Sequence, residues 1–139
     1  MTRSHLAIIW RRLRHSQHGA ALLEFALVAP FFLFTVFGLI EFGNVLWSYS
    51  TLDHAVQEAA RFAMVHGAES GTPATADAVA EMVRDSALGL SGQAIAVTVN
   101  FLPDNQPGSM VDIDASYSVA TALFGQYSLN ATALQFIAQ

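Results

Sequence analysis

The stretch AALLEFALVAPFFLFTVFGLIEFG, residues 20–43, decides how this chain is organised. Between Glu24 and Glu41 it holds sixteen consecutive residues without a charge, and residues 20–23 extend the apolar run to about twenty positions. At a rise of ~1.5 Å per residue, a helix of twenty residues covers ~30 Å, which is the thickness of the hydrocarbon core of a bilayer. We therefore predict a transmembrane helix over residues 20–43.

The charges around this run are asymmetric. Four of the six basic residues, all arginines, precede Gly19 in a segment without acidic residues, whereas all eleven acidic residues follow it. Because basic residues favour the cytoplasmic side of a membrane, we predict a single span with the N-terminus in the cytoplasm and the residues after 43 outside. The alternatives are a cleaved secretory signal, whose apolar region is usually only ~7–15 residues long, and a buried helix of a soluble domain.

Four residues inside the run are unusual for a plain membrane anchor. Glu24 places a carboxylate in an apolar stretch, which is costly, so it either reaches water at the interface or has a specific partner. Pro30 removes one helical N–H donor and favours a kink. Gly38 and Gly43 weaken the helix or let another backbone come close, although ordinary membrane-helix composition also explains them. We interpret Pro30, Gly38 and Gly43 as residues that shape the helix.

The start of the run resembles the type IV prepilin processing site. Residues 18–25 read HGAALLEF, in which a glycine is followed by small apolar residues and by a glutamate at the fifth position. The resemblance implies that a prepilin peptidase cleaves between Gly19 and Ala20, and that Glu24 is a determinant of processing and assembly. His18 departs from the Lys or Arg more common there, and Ala20 departs from the Phe or Met of major type IV pilins.

A longer resemblance, over about 45 residues, is to the TadE-like module of tight-adherence (Flp-type) pilus systems, which such departures fit better than a major pilin. The matching pattern is a glycine, Glu-Phe-Ala-Leu, a proline, a long apolar stretch, an acidic-aromatic-glycine step and Ala-Ala-Arg. It is carried by Gly19, Glu24, Phe25, Ala26, Leu27, Pro30, Gly38, Glu41, Phe42, Gly43, Ala59, Ala60 and Arg61.

The TadE-like resemblance implies a minor pilin or pseudopilin in the bacterial inner membrane, with its C-terminal domain in the periplasm. Its implied partners are a prepilin peptidase, other pilin-like subunits, the inner-membrane platform proteins of the tight-adherence system and membrane lipid. In such assemblies a glutamate at the position of Glu24 is thought to pair with the N-terminal amine of a neighbouring subunit. The implied role is to prime or modulate assembly of the pilus, and so surface attachment.

Beyond the span, the spacing of apolar residues predicts a continuation of the same helix over residues 44–66. The apolar positions recur at alternating steps of four and three: Val45, Tyr49, Leu52, Val56, Ala59 and Ala63. Thr72, followed by Pro73, is typical of a helix start, so we predict a second helix over residues 73–90 that ends at Gly89 and Gly92.

The remaining residues alternate between apolar and polar side chains, which is typical of half-buried strands. The alternation predicts strands over residues 95–101 and 111–119, joined by the turn PDNQPGS. A weaker alternation over residues 127–133 favours a third strand. The predicted fold class is therefore α+β and pilin-like, with a long N-terminal helix, a second helix and a small antiparallel sheet of two to three strands.

These elements divide the chain into three parts. We predict a basic cytoplasmic leader over residues 1–19 that is cleaved, a transmembrane helix over residues 20–43, and a periplasmic α+β domain over residues 44–139. Hydrophobic residues make up 53% of the chain and charged residues 12%, against about 25% charged in ordinary proteins. This composition excludes disorder for most of the chain, and a net charge of −5 with six basic residues argues against nucleic-acid binding.

Catalytic and metal-binding patterns are absent from the sequence. The chain has no cysteine, which removes disulfides, thiolate metal ligands and cysteine nucleophiles. His54 and His66 are twelve residues apart without a partner motif, so no metal site is predicted. A calcium site is conceivable near the hairpin, but a solvated acidic surface is the favoured interpretation of its three aspartates, Asp104, Asp112 and Asp114.

We therefore expect no catalytic residues, no cofactor, no metal and no enzymatic activity. One alternative to a pilus subunit is an uncleaved, membrane-anchored periplasmic scaffold or binding domain of an envelope complex. A second is a small exported enzyme, which the missing catalytic motifs argue against.

Overall fold

The structure is a computed structural model that describes residues 17–138. It consists of helix α1 (Gln17–Val65), helix α2 (Ala76–Ser86), a short 3-10 turn (Gly92–Ala94) and strands β1 (Ile95–Leu102), β2 (Met110–Thr121) and β3 (Gly125–Phe136). This confirms the predicted α+β class, and the sheet has three strands. The predicted leader lies outside the described residues, apart from its last three positions.

The chain divides into two compact units at the end of the apolar run, Met1–Ile40 and Glu41–Gln139. Within the first unit, residues 17–40 are helical throughout. Among the described residues, one helix is long and apolar enough to cross a membrane, with a mean hydropathy of 2.2 over its best window and none of that window buried. Such a helix is compatible with a single-pass membrane anchor.

The second unit is built on an antiparallel sheet with the strand order β1-β2-β3. Val99 pairs with Ile113, and Ile113 pairs with Ala133, so these three side chains lie in one row on one face. Because side chains alternate between the two faces of a strand, this face carries the apolar residues and the opposite face carries most of the polar ones.

The core lies between this face of the sheet, the C-terminal part of α1 and helix α2. Its largest fully buried side chains come from all three elements and from the chain end: Leu52, Val56, Val79, Val83, Val111, Ile113 and Ile137. The predicted stripe on α1 is confirmed where it faces this core, since Leu52, Val56, Ala59 and Ala63 are 0% exposed. Tyr49, nearer the apolar run, remains 48% exposed.

Helix α2 begins and ends inside the predicted bounds. The prediction that Thr72 caps it with Pro73 in the first turn is wrong, because the cap is Thr75, whose hydroxyl accepts a hydrogen bond from the N–H of Ala78 at 3.2 Å. The preceding residue Ala74 is tied to other parts of the chain: its N–H donates to the carbonyl of His66 at 2.7 Å, and its carbonyl accepts from the Asn105 side chain at 2.8 Å. These contacts hold residue 74 outside the helix.

The end of α2 also differs from the prediction. The helix ends at Ser86, before either predicted glycine, and the N–H of Ala87 closes the last turn on the carbonyl of Val83. Gly89 instead serves a close approach, since it has a φ of +81° and a Cβ at this position would lie 2.5 Å from the Trp47 ring. Only glycine avoids both the left-handed strain and this overlap.

The β2–β3 hairpin projects beyond the first strand. Tyr117 is the last residue of β2 that pairs with β1. Residues 118–121 of β2 pair with β3 alone, and the last pair before the turn is Thr121–Gly125. The predicted third strand is confirmed and is longer than expected, at twelve residues. The hairpin turn, residues 122–124, therefore lies beyond the part of the sheet that three strands share.

Candidate functional site

The residues at the predicted processing site lie on α1 and are exposed. Gly19, Ala20 and Glu24 all belong to the helix, and each of them is in the exposed class. Within residues 17–138, no hydrogen bond or ion pair engages the Glu24 carboxylate. The structure thus leaves all three residues exposed, and the Glu24 carboxylate has no partner among the described residues.

The predicted helix-shaping residues occupy three different settings on α1. The helix runs on through Pro30 without an interruption, although proline leaves one helical carbonyl without its N–H donor. Gly38 is half-buried. Gly43 is exposed, and apart from its neighbours in the chain and the adjacent helix backbone, no described atom would lie within 4 Å of a Cβ added there.

The apolar part of α1 is left largely exposed by the residues that the structure describes. Val36 is half-buried, but twelve other apolar side chains are 50% exposed or more: Leu22, Leu23, Phe25, Leu27, Val28, Phe31, Phe32, Leu33, Phe34, Phe37, Leu39 and Ile40. A contiguous apolar surface of this kind marks a site for lipid or for other proteins. An α-helix is suited to either, because it satisfies its own backbone groups.

A second feature is the contact between Glu41 and the hairpin turn of residues 122–124. The Glu41 carboxylate accepts a hydrogen bond from the N–H of Ala122 at 2.8 Å and from the N–H of Leu123 at 3.1 Å. Its second oxygen also lies 3.1 Å from the Leu123 nitrogen. Hydrogen bonds to an ionised acceptor are stronger than neutral ones, so this contact holds the turn against α1.

The remaining backbone of the turn is satisfied by Thr121. The Thr121 hydroxyl accepts from the N–H of Phe124 at 3.2 Å and donates to the carbonyl of Gly125 at 2.7 Å. All three N–H groups of residues 122–124 therefore have an acceptor in the chain itself. Gly125, with a φ of +83°, supplies the left-handed conformation that closes the hairpin.

Beside this contact, α1 and the hairpin enclose an open cleft of about 370 Å³ with almost entirely apolar walls. Its lining consists of Glu41, Phe42, Val45, Thr121, Phe124 and Tyr127. Sequence reasoning matched Glu41 and Phe42 to the family pattern but assigned them no role. One signal for the role of Glu41 is present in the sequence, since no charged residue follows Asp114. A charged acceptor for the N–H groups of this turn therefore has to come from another element.

We expect Glu41→Ala to free the hairpin turn. Loss of the carboxylate removes hydrogen bonds that contribute about 1.5–3 kcal/mol when the acceptor is charged; since this site is partly exposed, about tenfold faster local opening is expected. Amide hydrogen exchange at Ala122 and Leu123 measures it. The matched control is Glu58→Ala, which removes an exposed carboxylate from the same helix and should leave both rates unchanged. Equal exchange in the wild type and Glu41→Ala would show that the contact does not hold the turn.

Within residues 17–138, no group of three or more His, Asp or Glu side chains is placed to hold an ion. Asp112 and Asp114 lie on the polar face of β2.

Comparison with known families supports the resemblance seen in the sequence. Residues 19–61 match the family described as TadE-like protein, so the suspected relationship is confirmed for this segment. The matched segment begins at Gly19 and includes Glu24, Pro30 and Glu41. Neither the curated proteins nor the solved structures contain a significant match to the chain.

Proposed function

We propose that this chain, whose residues 19–61 carry the TadE-like module, is a minor pilin or pseudopilin of a tight-adherence pilus assembly system. A prepilin peptidase cleaves it between Gly19 and Ala20. The mature chain assembles through its N-terminal helix with other pilin-like subunits and with the inner-membrane platform proteins. Its role is structural, in priming or modulating the fibre, rather than enzymatic.

The observation that carries this proposal is the coincidence of the family match with an uncovered apolar helix. The match begins at the predicted scissile glycine, and the apolar window that follows has no buried residue. Such a surface is stable in lipid before assembly. After assembly it packs against other apolar helices, and close packing of small and apolar side chains drives this association.

The proposed topology places the leader in the cytoplasm and the second unit, Glu41–Gln139, in the periplasm. It is supported by four arginines before Gly19 and by acids that occur only after it, since the positive-inside rule retains the arginines on the cytoplasmic side. The host membrane in this proposal is the bacterial inner membrane.

The proposed role of Glu24 follows from charge pairing. Cleavage after Gly19 creates a cationic amine on Ala20 at the membrane edge. Burying this amine or the Glu24 carboxylate alone is costly, whereas pairing the two between neighbouring subunits lowers the cost and fixes their register. In support, Glu24 is exposed and finds no partner within the described part of its own chain.

The test is the N-terminal residue of the protein purified from native membranes, determined by intact mass and terminal sequencing. We expect a start at Ala20 in the wild type and an intact leader in Gly19→Val. Gly71→Val is the matched control, because Gly71 lies in an exposed loop with open space around it, and it should be processed normally. A wild-type chain that starts at Met1 in cells with an active prepilin peptidase would favour the uncleaved scaffold instead.

A further inference from the structure

We propose that the hairpin turn of residues 122–124 is a lipid-contacting element that lies in the periplasmic interface of the membrane in which α1 is anchored. This inference rests on the membrane placement in the proposed function and is independent of cleavage.

The position of the turn follows from its contact with Glu41. Glu41 is the first charged residue after the uncharged run of residues 25–40, so it marks the boundary at which the helix leaves the hydrocarbon core. Its carboxylate binds the N–H groups of Ala122 and Leu123 directly. The turn is therefore held at the level of this boundary, rather than out in the aqueous phase.

The side chains of the turn suit an interface between lipid and water. Leu123 is 41% exposed, Phe124 is 50% exposed and the neighbouring Tyr127 is 46% exposed. Moving apolar side chains from water into the boundary between headgroups and acyl chains lowers the free energy. Tyrosine is enriched at this boundary because one end of its ring is polar. The apolar cleft beside the turn continues the same surface onto Phe42 and Val45 of α1.

The distribution of charged residues also favours a lipid surface as the molecule that the turn contacts. The chain has eleven acidic residues, which an anionic membrane surface repels. None of them lies in residues 115–139, a segment that also has no basic residue. The hairpin end that approaches the membrane is thus the uncharged part of an acidic domain, and only Glu41 is charged there, with its carboxylate occupied by the turn.

The backbone N–H groups of the turn are all hydrogen-bonded, which is the main requirement for moving a turn from water into lipid. An unsatisfied N–H group costs several kcal/mol in an apolar environment, so irregular loops normally avoid lipid. Here Glu41 accepts from Ala122 and Leu123, and Thr121 accepts from Phe124. With its donors satisfied, the turn can insert Leu123 and Phe124 without that cost.

The test uses site-directed labelling, which the absence of native cysteine makes specific. Full-length Phe124→Cys, labelled with an environment-sensitive fluorophore, is reconstituted in vesicles of zwitterionic and anionic phospholipid that contain a lipid with a spin label high on its acyl chain. The matched control is Phe136→Cys, which is 61% exposed but lies at the other end of β3, roughly 40 Å from position 124 at ~3.3 Å per residue. Val36→Cys, inside the apolar run, reports insertion itself.

We expect a blue-shifted emission and at least twofold quenching at position 124, strong quenching at position 36, and no quenching at position 136. Quenching at 36 without quenching at 124 would overturn this inference and leave the membrane anchor intact. A chain that does not float with the vesicles and is not quenched at 36 would overturn the inference and the membrane placement together. A blue shift at 124 that disappears when the protein is diluted in excess lipid would identify a second copy of the chain, not lipid, as the contact.

Discussion

Replacing Glu24 with alanine is expected to abolish assembly with neighbouring subunits while leaving membrane insertion intact. Insertion depends on the apolar length of α1, which alanine does not shorten. Assembly depends, in the proposed function, on a charge pair between Glu24 and the amine of Ala20 on the next subunit. Removing one partner of a buried pair costs about 3–5 kcal/mol, which corresponds to a loss of roughly a hundredfold or more in association.

The measurement is the amount of the variant that co-purifies with the pilin-like subunits, normalised to the amount that floats with membranes. Glu58→Ala is the matched control, because it removes another exposed carboxylate from the same helix and should assemble normally. Glu24→Asp keeps the charge on a side chain one methylene shorter and should recover part of the assembly. If Glu24→Ala is incorporated as well as the wild type, the pairing role is wrong.

Leu52→Ala is expected to cause a large loss of stability in the second unit. Leu52 is 0% exposed and belongs to the cluster that joins α1 to α2 and the sheet. A Leu→Ala change at a fully buried position costs about 2–5 kcal/mol, because apolar contacts are lost and a cavity remains. At about 3 kcal/mol, the protection of the slowest-exchanging amides of β2 should fall roughly a hundredfold.

Hydrogen exchange of the full chain in detergent or lipid measures this loss. Leu88→Ala is the matched control, since Leu88 is 75% exposed and its truncation should change protection by less than about twofold. Equal effects of the two substitutions would mean that the C-terminal part of α1 does not form the core of the second unit. The Leu52 result is independent of processing and assembly, so it tests the fold alone.

The elements that were predicted correctly are those whose pattern of apolar residues lies within a short segment of the sequence. The apolar run and the stripe through Leu52 and Val56 follow the period of a helix, and the alternation around Ile113 follows the period of a strand. Such periodicity arises because a helix or strand places every third to fourth or every second side chain on one face. The prediction of a processing site rests on a different signal, the spacing of Gly19 and Glu24 together with the wider family pattern.

The start of α2 shows where local signals fail. Thr72 and Pro73 have the composition of a helix start, but Thr75 caps the helix, because Ala74 is bound through its N–H to His66 and through its carbonyl to Asn105. The partner Asn105 is 31 residues away in the chain. No window of neighbouring residues contains that contact, so a local pattern placed the helix three residues too early.

The sequence by itself determined that this chain has a long apolar helix preceded by a basic segment, a TadE-like segment and an α+β domain, because composition, charge order and periodicity are properties of consecutive residues. Only the tertiary structure decided what Glu41 does. Its carboxylate meets the turn 81 residues later in the chain, and this contact exists only when β2 and β3 have paired and packed against α1. Hydrogen bonds between distant residues depend on the folded geometry, which is why the position of the hairpin turn at the end of the apolar run had to be seen in three dimensions.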